Sequence, residues 1–167
     1  TMHKGKINND SFDSDSFDIV VSIEMIEHIN YSIDYVTQIQ RILRKGGFCY
    51  ITTPNFNSLL RYYLKEKYDV IEYPNHLCYY TKKTLGDLFS SKGLQPKCIK
   101  TTGFSLTRFR TSKSGSNQEY VSETSDDEMM RYKIEQNGFL RFCVKMINRI
   151  LNLFKVGDSL KASFIKK

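Results

Sequence analysis

Apolar positions along the chain fall into blocks with two different periods. Residues 17–23 (FDIVVSI) form a short run rich in β-branched side chains. A run of that length, apolar on both faces, predicts a buried strand. After it, Ile29, Ile33, Val36, Ile39 and Leu43 recur at helical spacing. Lys45-Gly46-Gly47 then offers a base for the last turn and glycine for a left-handed cap. Residues 48–53 (FCYITT) predict a second buried strand, stopped by Pro54. A weaker helical pattern covers 57–68, through Leu59, Leu60, Tyr63 and Leu64. Thr81 predicts the N-cap of a further helix, KKTLGDLFSSKG, with Leu85, Leu88 and Phe89 facing inward and Gly93 past its end. Residues 94–104 predict a third strand.

The rest of the chain changes character. Residues 111–128 are polar and aperiodic, which predicts a loop. Residues 129–155 predict a long helix, interrupted near Gly138. Its second half puts Phe139, Phe142, Cys143, Met146, Ile147, Ile150, Leu151 and Phe154 on one stripe, and Arg141, Lys145, Arg149 and Asn152 on the other side. That stripe predicts a helix covering the sheet, ended by Gly157. Residues 158–166 predict a last strand. Alternating strands and helices of this kind predict an α/β fold, part of a doubly wound, largely parallel sheet with flanking helices. About four strands are few for that plan, and the first begins close to residue 1. The expectation is therefore the C-terminal part of a domain over 17–167, after a disordered or tag-like stretch at 1–16.

Composition narrows the class. Hydrophobic residues make up 40% and aromatic residues 13% of the 167, enough for a packed core. No apolar run is long enough to cross a bilayer, and residues 1–16 are too polar for a secretory signal. Cys49, Cys78, Cys98 and Cys143 are widely spaced and form no C-x-x-C pair, so free thiols in a cytoplasmic protein are expected. The net charge is +7, and all of it lies in residues 131–167, with nine Lys/Arg against two Asp/Glu. That segment could attract an anionic membrane surface, or it could simply be a solvated basic helix face. Zinc-finger spacing, RNP-type aromatic patterns and G-x-S-x-G are all missing, so neither nucleic-acid binding nor serine hydrolysis is indicated.

Chemistry concentrates after the first strand. Glu24, Glu27 and His28 form E-x-x-E-H. On a helix these positions share one face, where two carboxylates and an imidazole can bind Mg²⁺ or Mn²⁺. His28 could instead act alone as a general base, or the acids could serve only the helix dipole. His76, in Y-P-N-H, offers a second base or a further ligand, and equally reads as a loop histidine bonded to backbone. Tyr79 is a candidate for lining a substrate site and also for the core.

The segments FDIVVSIEMIEHI (17–29), ILRKGGFCYITTPN (42–55) and PNHLCYYTKKTL (74–85) together resemble the second half of a class I S-adenosylmethionine-dependent methyltransferase. The matching strands are the family's fourth to seventh, the last being antiparallel. The resemblance implies S-adenosylmethionine as cofactor, with Ser22 and Ile23 beside its methionine part. It also implies Asn55 at the pocket rim and His76 near the substrate. E-x-x-E-H is similar to ubiquinone-pathway and small-RNA O-methyltransferases, which implies metal-assisted methylation of a hydroxyl. The family's G-x-G-x-G loop is missing; the doublet Gly46-Gly47 lies in a helix-to-strand turn. Two functions are therefore expected: O-methylation of a small molecule or sugar, incomplete in this chain alone, or a non-catalytic interaction module. In relatives the fourth strand pairs with the first, so an unpaired 17–23 predicts a homo-oligomer, formed through that strand or by exchange of the long helix.

Overall fold

The computed structural model of the chain describes residues 5–68, 70–105 and 132–167. Four strands form one sheet: β1 (Phe17–Ile23), β2 (Leu43–Pro54), β3 (Leu94–Thr102) and β4 (Ser159–Lys166). Their spatial order is β1-β2-β4-β3. β1 and β2 run parallel, while β4 runs antiparallel to both β2 and β3. The sheet is thus parallel except for its last strand, which inserts between two earlier ones. α1 (Ser32–Ile42) makes the crossover from β1 to β2. α2 (Leu59–Leu64) and α3 (Lys82–Ser90) lie between β2 and β3, and α4 (Gly138–Phe154) precedes β4.

One face of the sheet carries the core. Val36 and Ile39 of α1 and Leu85 and Phe89 of α3 pack on Cys49, Ile51, Leu160, Ala162 and Phe164. The rings of Phe89 and Phe164 stack at 4.2 Å. Each of the Val, Ile, Leu and Phe side chains among them, once fully buried, stabilises the fold by roughly 1.5–3 kcal/mol. α3 starts as its sequence predicts. Thr81 and Thr84 make a reciprocal capping box, and Gly93 follows the helix with φ +79°.

The other face is open at β1. Ile19, Val21 and Ile23 point to it and are 60%, 56% and 63% exposed. β1 was expected to be buried on both faces. One face is largely uncovered instead, and β1 lies at the edge of the sheet, as its missing partner strand led one to expect. Pattern shows that both faces are apolar; it does not show that both are covered.

Two helix ends differ from expectation, and one interruption falls where it was expected. α1 stops at Ile42, with Leu43 already extended, so Lys45-Gly46-Gly47 is no helix cap. Those residues bulge β2 against β1, whose register jumps between Phe17 and Ile19. Gly46 supplies φ +77° there, and a Cβ on Gly47 would lie 2.7 Å from the Arg44 carbonyl. α4 ends at Lys155, itself left-handed at φ 61°. Gly157 instead lets the chain pass against the backbone of Thr101 and Thr102, where a Cβ would come within 2.6 Å. Asn137 caps α4 by accepting from Phe139 and Leu140, which accounts for the interruption near Gly138.

Residues 5–16, expected to be disordered, are tied to α1. The Arg41 guanidinium donates to the carbonyls of Phe12 (2.7 Å) and Asn8 (2.9 Å). Lys166 reaches both Asp15 and the Leu43 carbonyl. These long-range bonds leave no periodic mark in the sequence. The polar stretch 111–128 lies outside the described residues.

The long helix departs most from expectation. Only Leu151 of α4 is buried. The helix contacts β3, at the sheet edge far from β1, and does not lay its apolar stripe on the sheet. Asn152 accepts from the amide of Thr101 and Asn148 from that of Gly103, so the side that carries these asparagines and Leu151 faces the protein, while Arg141, Lys145 and Arg149 are exposed.

Candidate functional site

The carboxyl ends of β1 and β2 lie at the same edge of the sheet, the usual ligand edge in open α/β folds. A sharp turn leaves β1 there. Glu24 has φ 46° and its amide donates to the Thr52 carbonyl at 3.0 Å. Residues Ile26–His28 then form one 3-10 turn. Glu24 is therefore not on a common helical face with Glu27 and His28, because the chain turns between them.

Glu27 points inward. It is 2% exposed, and its Oε2 accepts from Thr53 Oγ1 at 2.8 Å. Its backbone carbonyl accepts from the amides of Leu77 and Cys78, at 2.8 and 2.9 Å. This pair of bonds draws the segment around His76 over the sheet edge. The structure thereby joins His76 to Glu27 and His28, and leaves Glu24 out of the group. One ligating atom from each of Glu27, His28 and His76 lies within 4.8 Å of the others. The two imidazoles sit 4.8 Å apart between ring centres.

Both rings have a fixed tautomer. His28 Nδ1 lies 2.5 Å from the Asn75 carbonyl, and His76 Nδ1 lies 2.7 Å from that of Val70. A carbonyl only accepts, so each Nδ1 carries the proton and each Nε2 keeps a lone pair when the ring is neutral. His28 Nε2 is 4.0 Å from Glu27 Oε1. Two imidazole nitrogens and one carboxylate, with both rings oriented from behind, are a donor set that suits an imidazole-binding ion such as Zn²⁺ or Fe²⁺ better than Mg²⁺ or Mn²⁺, which prefer oxygen.

The other candidates spread out. Ser22 is buried and its Oγ accepts from the Tyr35 hydroxyl at 2.8 Å, on the covered side of the sheet. Burial pushes the Tyr35 hydroxyl up, and the bond to Ser22 opposes that shift. Ile23 points to the opposite, open side, as adjacent strand residues must. Asn55 is fully buried. Its Nδ2 donates to the carbonyls of Lys155 (3.2 Å) and Gly157 (2.7 Å), and its Oδ1 accepts from Asn57. It holds a turn together from inside instead of standing at an open rim. Tyr79 packs on Phe56 at 5.6 Å and donates to the His76 carbonyl, so it braces the histidine segment.

Sequence reasoning missed Thr53 and Asp158. Asp158 is buried and accepts from Ser58 Oγ at 2.5 Å. Its partner lies 100 residues away, beyond the reach of any local pattern.

A methyltransferase domain family matches residues 2–99, more than half of the chain. The chain belongs to the class I S-adenosylmethionine-dependent methyltransferase family. Solved structures share its fold. A SAM-dependent methyltransferase from Thermotoga maritima is 21% identical, with TM-score 0.59, and the match covers 99% of this chain and 63% of that one. A second, from Archaeoglobus fulgidus, is 18% identical with TM-score 0.54, covering 93% and 62%. The [4+2]-cyclase SpnF is 9% identical with TM-score 0.51, covering 93% and 52%. This methyltransferase chain therefore spans less than two thirds of the length of these structures. No curated protein sequence matches it. Its family works with S-adenosylmethionine, and the carboxyl ends of β1 and β2 lie at the ligand edge of the fold.

Proposed function

We propose that this methyltransferase chain carries the acceptor side of the reaction, moving a methyl group from S-adenosylmethionine to an oxygen of a small molecule or sugar. The observation that supports this is the pair of tautomer-locked histidines at the ligand edge, each with Nε2 unprotonated in the neutral ring. One of them takes the hydroxyl proton as the oxygen bonds to the methyl carbon. The sulfur keeps the electrons of the breaking bond and leaves as the demethylated thioether. Catalysis then rests on alignment and on this proton transfer. Ile23 is the candidate for the cofactor side and Tyr79 for holding the histidine segment. Asn55 uses its side-chain amide internally and is the candidate for holding the turn beside the site.

As the alternative to a histidine base, Glu27, His28 and His76 would hold a divalent ion through the same Nε2 atoms, and the ion would lower the pKa of the acceptor hydroxyl. Glu24 would stay outside that set.

The test is labelled methyl transfer to hydroxyl acceptors by the protein expressed from its whole reading frame. His28→Ala or His76→Ala is expected to lower turnover by about a hundredfold or more. Full activity in both variants would remove the base assignment, and a chelator that stopped only the wild type would favour the ion.

A second reading is an interaction module. It is favoured by the missing G-x-G-x-G loop in these 167 residues and by the open apolar edge at β1. Calorimetric titration of this chain with S-adenosylmethionine separates the two. Submillimolar binding would show that these residues hold the cofactor without that loop.

A further inference from the structure

α4 is mounted the wrong way round for a core helix. At 100° per residue, Phe139, Phe142, Met146, Ile147, Ile150 and Leu153 fall in one arc, and all six are exposed. Phe139 is 73% and Leu153 74% exposed. On the opposite side, Asn148 and Asn152 bond to the edge of β3. The side with the asparagines is therefore anchored to the protein, and the apolar arc faces away from it. Single exposed apolar residues are ordinary, but a contiguous arc along a seventeen-residue helix marks a contact surface.

Charge selects the partner. Arg141, Lys145 and Arg149 follow one another at four-residue spacing, a basic row that runs from the asparagine side at Arg141 to the border of the arc at Arg149. α4 has no acidic residue. Lys155, just past its end, shares a cleft with Lys82 and Lys97. A second copy placed antiparallel against the same arc would bring basic row against basic row, which is unfavourable. An anionic bilayer surface would meet both features, with acyl chains for the arc and headgroups for its border. The helix is about 25 Å long and lies along the surface in this arrangement. Among the described residues no helix is long and apolar enough to cross a membrane.

We propose that α4 docks this protein in the interface of an anionic lipid membrane, with Phe139, Phe142, Met146, Ile150 and Leu153 inserted and Arg141, Lys145 and Arg149 at the headgroups. The experiment is co-sedimentation of the full chain with phosphatidylcholine vesicles, with and without phosphatidylglycerol, at low and high salt. Binding is expected only with phosphatidylglycerol, and salt weakens it. Phe139→Ser and Leu153→Ser are each expected to weaken binding by about tenfold or more, from the burial each side chain loses. Neither should change the circular dichroism of the fold, because both residues are exposed. Lys145→Gln and Arg149→Gln, which leave the arc untouched, are each expected to cost roughly fivefold. Equal binding to neutral vesicles, no binding to either, or unaltered binding by all four variants would overturn the proposal. So would a vesicle-free dimer, seen by light scattering, that Leu153→Ser dissolves.

Discussion

Thr53 on β2 donates its hydroxyl, at 2.8 Å, to a carboxylate oxygen of Glu27, the residue whose own carbonyl holds the His76 segment in place. This bond is buried, so the group left behind when it is removed cannot turn to water. Thr53→Val keeps the shape and deletes the donor. It is expected to destabilise the fold by about 1–3 kcal/mol, read from urea unfolding. Methyl transfer should fall as well if the Glu27 turn sets the position of both histidines.

Cys49 and Cys98 should behave oppositely toward alkylating reagents. Cys98 is exposed. Cys49 is fully buried, and that burial pushes its thiol from 9.0 up to about 12. Iodoacetamide at mildly alkaline pH is expected to label Cys98 and spare Cys49 until the protein unfolds, as mass spectrometry would show. The same shift has a sign for stability. The folded thiol resists ionisation where the unfolded one ionises, so its contribution is complete below pH 9 and is lost as pH rises toward 12. Cys49→Ala should flatten that part of the alkaline unfolding profile.

Gly157→Ala is expected to be costly although the residue is outside every helix and strand. Its Cβ would fall 2.6 Å from the Thr102 amide and 2.8 Å from the Thr101 carbonyl carbon, and backbone atoms cannot swing aside. A loss of about 1–3 kcal/mol is expected, as for overpacking elsewhere. Gly138→Ala is the control, since open space surrounds that position. A thermal scan of the two variants decides the point.

Asn55→Ala should act on folding before it acts on any substrate. The change leaves the Gly157 carbonyl and the Asn57 amide without a bond each makes now. A drop of about 1–3 kcal/mol in unfolding free energy is expected. If activity falls with no loss of stability, the residue contacts a ligand after all.

The sequence made the order of the elements legible because each block had a clear period. FDIVVSI, FCYITT and the Thr81 cap all sit where their patterns put them. The antiparallel last strand followed from the resemblance, not from periodicity. What pattern could not reveal was coverage. The same stripe on α4 that predicts a packed helix also describes one that faces outward, and two asparagines bonding to the edge of β3 decide between them. The candidate site was half legible. Glu27, His28 and His76 were each singled out, but the turn at Glu24, φ 46°, replaced the helix that would have grouped Glu24 with them. His76 joins the group through backbone bonds to Glu27, across about fifty residues of chain that no local spacing encodes.

β4 comes after every other described element in the sequence, yet it lies between β2 and β3. Until residues 159–166 leave the ribosome, β2 and β3 have no strand to join them, and Phe89 lacks the ring it stacks on. The nascent chain can form α1, α3 and the parallel β1–β2 pair early, but the sheet closes only in one late, long-range step. Folding should therefore be slow for a chain of this size, and the unpaired β2 and β3 give chaperones their longest target just before synthesis of β4.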